Sequence, residues 1–130
     1  MMDNCTREDL QEALRALAVM IARTRKVQEK FAQGTPQSSL LKNRLRALEI
    51  ASSLISKELA GSSAAGYTKD ELDKALAPLA SLISKSEKAR SKLPPGTWQH
   101  SMLSSNLKAL YIASPLLSEA LRRAAAGNNM

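Results

Sequence analysis

The chain has 130 residues, one domain's worth, and 44% of them are hydrophobic, enough for a packed core and too many for a disordered polymer. With one Trp, one Phe and two Tyr, that core is aliphatic and helix-forming rather than built from strands, so the class is all-α. The net charge of +7 directs attention to acidic partners, and no apolar run approaches the roughly 20 residues of a membrane span.

The N-terminus, MMDNCTREDL, has no apolar signal core, which points to a cytoplasmic protein. Cys5 stands alone, so no internal disulfide or thiolate cluster is expected, and it reads as an incidental thiol in a frayed segment. Thr6 opens the first helix, with Glu8 and Asp9 suiting its positive end. An apolar ladder follows at Leu10, Leu14, Leu17, Ile21, Thr24, Gln28 and Phe31, flanked by Ala13, Met20 and Val27. Gly34 supplies the stop.

Thr35-Pro36 starts a second helix, with the threonine as N-cap and the proline where its missing N–H costs nothing. Its ladder is Leu41, Leu45, Leu48, Ser52, Ile55 and Leu59, widened by Leu40, Ala47, Ala51 and Leu54, and Gly61 ends it. Residues 60–67 form a small, polar linker. Thr68 and Glu71 then make a capping box for a third helix with Leu72, Leu76, Leu79, Ile83, Ser86, Arg90 and Leu93 along its ladder. Pro94-Pro95-Gly96 terminates it. A fourth helix begins at Thr97 or Trp98, carries Leu103, Leu107, Leu110, Ser114, Leu117 and Leu121, and fades at Ala124–Gly127.

These helices repeat. Without a gap, residues 6–59 align on residues 68–121 at a spacing of 62, and 23 of the 54 positions are identical. The clearest echo is GTPQSSLLKNRLRALEIASSL against GTWQHSMLSSNLKALYIASPL. The expectation is a single domain, 1–130, built by tandem duplication of a helical hairpin and folded as an up-down-up-down four-helix bundle. The eight residues from Ala60 to Tyr67 reach about 27 Å at most, whereas a helix of 24 residues is about 36 Å long. Helix three must therefore begin near the end of helix two, which places both hairpin tips at one end unless the hairpins splay.

The charge follows that polarity. Residues 23–46 and 85–108, the tip halves, carry a net +10, and the remaining residues carry −3. Lys42, Arg44 and Arg46 lie in the first half of a helix, where the dipole disfavours cations, so helix electrostatics do not account for them. Together with Arg25, Lys88, Lys92 and the solitary Trp98 they make a candidate surface for an anionic partner, either nucleic acid or an acidic protein, with lipid headgroups as a further polyanion. The alternative is a solvated surface that keeps the chain soluble, with Trp98 as a packing lid.

Pro78 and Pro115 fall inside helices at positions held by Ala16 and Ser53 in the first copy, each costing about 3 kcal/mol unless a kink absorbs it. They read as a groove between the copies or as curvature. Ala47-Leu48-Glu49-Ile50-Ala51-Ser52 returns as Ala109-Leu110-Tyr111-Ile112-Ala113-Ser114, whose small residues let helices two and four cross closely. Ile50, Leu54, Ile112 and Leu116 lie off the main ladder. They are either an oligomer interface, as in a homodimer or structural module, or a second buried face.

No phosphate loop, nucleophile elbow, carboxylate pair or metal-ligand spacing is present, so no catalytic residue, cofactor or metal is expected and an enzyme is not. The lone His100 has no second ligand near it. In architecture the doubled hairpin is similar to small RNA-binding helical-hairpin dimers, in which two hairpins form a four-helix bundle. That likeness is one of fold and does not itself carry function.

Overall fold

The computed structural model describes residues 5–61 and 66–128. They form four α-helices and no strand: α1 (Arg7–Gln28), α2 (Pro36–Ala60), α3 (Lys69–Ser91) and α4 (Trp98–Asn128). Positions 62–65 of the linker, the first four residues and the last two lie outside the described residues.

Each helix begins on a threonine for the same chemical reason. The Thr6 and Thr68 hydroxyls accept from the Asp9 and Glu71 N–H at 3.0 and 3.1 Å. Those two carboxylates accept in return from the Thr6 and Thr68 N–H at 3.0 and 2.9 Å. Asp9 thus completes a capping box just as Glu71 does. At the other two starts, Thr35 and Thr97 accept from Ser38 and His100 N–H at 3.1 and 3.2 Å. Their hydroxyls donate to the Ala32 and Pro94 carbonyls at 2.9 and 3.0 Å, fastening the incoming loop. The preceding Gly34 and Gly96 have φ of 87° and 95°, a left-handed conformation costly for a residue with a Cβ.

The ends depart from the sequence pattern in two places. α1 stops at Gln28, so Phe31 belongs to the tip rather than the ladder, held by an Phe31 N–H bond to the Gln28 carbonyl. α4 passes through Gly127 to Asn128, beyond where its apolar pattern fades. Pro78 and Pro115 both sit within continuous helices.

The core is asymmetric among the helices. α2 packs against α1, α3 and α4, and α4 packs against α1, α2 and α3, whereas α1 and α3 do not meet. The largest fully buried side chains reflect this, since five of the seven (Leu48, Ile50, Ile55, Leu107 and Leu110) come from α2 and α4 and only Leu17 and Leu72 from the outer pair. Ala47, Ala51, Ala109 and Ala113 are all buried, as expected where two helix backbones come close.

That arrangement favours one of the two readings of the residues off the main ladder, the second buried face, and corrects one ladder position. Ile50, Leu54 and Ile112 are not on an outer face but inside the core, and Leu116 is half-buried against it. They have little surface to offer a second subunit, because α2 and α4 are covered from several sides. Leu76, assigned to the α3 ladder, is instead exposed. Cys5 also packs against the core rather than standing apart. No described helix is long and apolar enough to cross a membrane.

Candidate functional site

Most of the candidate arginines are engaged within the chain and most of the candidate lysines are not. Arg25 pairs with Glu49 at 2.9 Å and Arg46 with Glu71 at 2.5 Å. Arg46 also lies over the Tyr67 ring, 5.6 Å from its centroid. Arg23 donates to the Met102 sulfur at 3.1 Å, and Arg90 to the Ser104 hydroxyl at 3.5 Å. Arg44 is half-buried. The lysines differ: Lys26, Lys30, Lys42, Lys85, Lys88 and Lys92 are all exposed, and none forms an ion pair among the described residues.

Of the residues singled out in the sequence, Lys42, Lys88 and Lys92 are therefore available to an anion, while Arg25 and Arg46 must first give up a carboxylate. Lys26, Lys30 and Lys85 complete the available set. Their signal was already in the charge count, but charge alone does not separate paired from unpaired cations.

Trp98 occupies the first turn of α4 and is 68% exposed, so it is not a packing lid over the core. Phe31, in the other tip, is 39% exposed, and Val27 and Leu40 on either side of that tip are exposed at 40% and 55%. These residues were assigned to apolar ladders and flanks, because periodicity identifies the face but not whether a neighbour covers it. His100 is half-buried, and among the described residues no group of three or more His, Cys, Asp and Glu is placed to hold a metal ion.

The cap carboxylates serve twice. Asp9 also accepts from Lys108 at 3.0 Å, as Glu71 does from Arg46. Both carboxyls are held below the ordinary carboxylate range, first by the N-cap backbone N–H and then by the cation. Lys108 is raised by its bond to Asp9. The Tyr111 hydroxyl donates to Glu87, which raises the phenol above its ordinary value by favouring the protonated form.

Positions 62 apart also line matching surfaces. A groove of about 580 Å³ runs between α2 and α3, lined by Leu40, Asn43, Lys74, Ala77, Pro78 and Ser81. One of about 510 Å³ between α1 and α4 includes Met102, Ser105, Glu12, Arg15, Ala16 and Val19, the same six positions in the other copy. Pro78 therefore does border a groove, but its counterpart Ala16 borders one as well. No protein-family model, curated protein or solved structure matches the chain.

Proposed function

We propose that this chain is a non-enzymatic binding or adaptor protein that engages an anionic partner through a lysine-rich end. In this reading the chain is a tandem duplication of a helical hairpin, folded up-down-up-down, with both tips at that end. Several contacts support the arrangement. Arg7, at the start of α1, donates to the Leu59 carbonyl near the end of α2 at 3.5 Å, as antiparallel helices require. Arg23, late in α1, reaches Met102, early in α4. Across the two copies, Arg46 meets Glu71 and Lys108 meets Asp9, which are the same pair of positions exchanged. Such reciprocity is what a two-fold relation between hairpins produces. Glu71 meets the middle of α2 rather than its last turn, which fits hairpins that cross at an angle.

The observation that carries the functional reading is that, of the seven exposed lysines that form no ion pair among the described residues, six lie within the tip halves and Lys69 alone lies outside them. An anion reaching them displaces no internal carboxylate, so its attraction is not spent on breaking contacts. Retention on a polyanion matrix such as heparin, and binding to mixed-sequence single-stranded DNA, test this directly. Affinity falls steeply with added salt. The triple variant Lys42→Glu/Lys88→Glu/Lys92→Glu loses retention. A control triple with the same charge change outside the tips, Arg15→Glu/Lys69→Glu/Arg122→Glu, keeps most of it. Equal loss in both triples would reduce the effect to net charge and refute a basic end.

A further inference from the structure

We infer that the anionic partner is a lipid surface, onto which the two tips settle with lysines on the headgroups and apolar side chains in the interface. This inference rests on the basic-end reading and adds to it the identity of the polyanion. Three observations favour lipid. First, four of the seven large exposed hydrophobics, Val27, Phe31, Leu40 and Trp98, belong to the tips or the helix turns beside them. Trp98, the most exposed of them, lies six residues from Lys92, and Phe31 follows Lys30 directly. Aromatic rings amid basic residues suit the boundary between headgroups and acyl chains.

Second, two of the four are aliphatic. A nucleic acid can stack its bases on Trp98 or Phe31, but Val27 and Leu40 present no π-face and gain little from bases. A lipid interface rewards all four, since the gain depends only on apolar area removed from water. Third, the exposed cations of the tip halves that form no ion pair or side-chain hydrogen bond among the described residues are lysines, whereas Arg23, Arg25, Arg46 and Arg90 are engaged within the chain and Arg44 is half-buried. Lysine is a hydrated point charge without the planar fork that reads phosphate or base geometry, so it suits a diffuse negative surface. Each lysine close to such a surface strengthens binding by about fivefold. A flat surface also meets two tips at the same end together.

The test is co-sedimentation with vesicles of phosphatidylcholine containing 30% phosphatidylserine, with vesicles of phosphatidylcholine alone as the second arm. Trp98 is the only tryptophan, so its emission reports on the tip without labelling. The protein binds the anionic vesicles with a blue shift of that emission and leaves the neutral vesicles unbound. Lys42→Glu/Lys88→Glu/Lys92→Glu weakens vesicle binding by about 100-fold or more. Val27→Ser/Leu40→Ser, at exposed positions, weakens it by about tenfold and leaves binding to single-stranded DNA unchanged. Binding to DNA without binding to anionic vesicles overturns the lipid assignment and leaves the basic end standing. Vesicle binding with no change in Trp98 emission also overturns it. Failure to bind vesicles, DNA and heparin alike removes both readings.

Discussion

Two sets of contacts, each at positions 62 apart, differ in how closely they match. Within the first hairpin, Arg25 pairs with Glu49; 62 residues later the same two positions hold Glu87 and Tyr111, still hydrogen-bonded but with the charges replaced. Between the hairpins, Arg46–Glu71 and Lys108–Asp9 have kept both geometry and sign. The difference lies in what else each group does. Asp9 and Glu71 are fixed by their capping boxes and cannot change sign without also exposing a helix start, so their cationic partners are constrained with them. Glu49 and Tyr111 cap nothing, and their positions tolerate new chemistry. The contacts between α2 and α3 and between α1 and α4 thus match in charge where those within each pair of consecutive helices do not.

The largest effect is expected where the core has least room. Ala113→Leu forces a branched side chain into a fully buried position of α4 and costs about 1–3 kcal/mol by chemical denaturation. Ala51→Leu, its counterpart, costs a similar amount if the two-fold relation holds, and unequal losses would break that equivalence.

Lowering the pH tests the paired carboxylates next. Asp9 and Glu71 are depressed in the folded chain, so the stability they contribute is present above their unfolded values near 4. It is lost as the pH falls through their lower folded values. Asp9→Asn and Glu71→Gln should each flatten the acid limb of a plot of stability against pH.

The smallest effect sits at the mismatched pair. In a Tyr67→Phe background, Tyr111 is the only phenol, and its absorbance near 295 nm should titrate above the ordinary value of about 10. Glu87→Gln brings that titration back down. Because Tyr111 is raised on folding, the contribution of the Glu87 bond is present below that ordinary value and is lost as the pH rises through the folded one.

The sequence carried more of the helices than of their neighbours. Threonine caps, glycine stops and apolar ladders located four helices, because these signals are local. Leu76 and Ile50 show where locality fails. Leu76 sits on a ladder and is exposed, while Ile50 sits off the ladder and is buried, since burial depends on how many helices cover a face. The small residues at Ala47, Ala51, Ala109 and Ala113 were the only sequence sign of the second covered face. At the candidate site, charge was legible and pairing was not. Arg25 and Lys88 look alike in a charge count, yet one is committed to Glu49 and the other has no acidic partner among the described residues.

Most depends on both tips sharing one end, and energy transfer from Trp98 measures that directly. With Cys5→Ser removing the only native thiol, an acceptor dye is placed on a cysteine at Gln33, in the other tip, or at Lys69, at the start of α3. Helices of this length are about 35 Å long, so transfer from Trp98 is predicted to be strong to position 33 and weak to position 69. Stronger transfer to position 69 than to position 33 would place the tips at opposite ends and contradict the account.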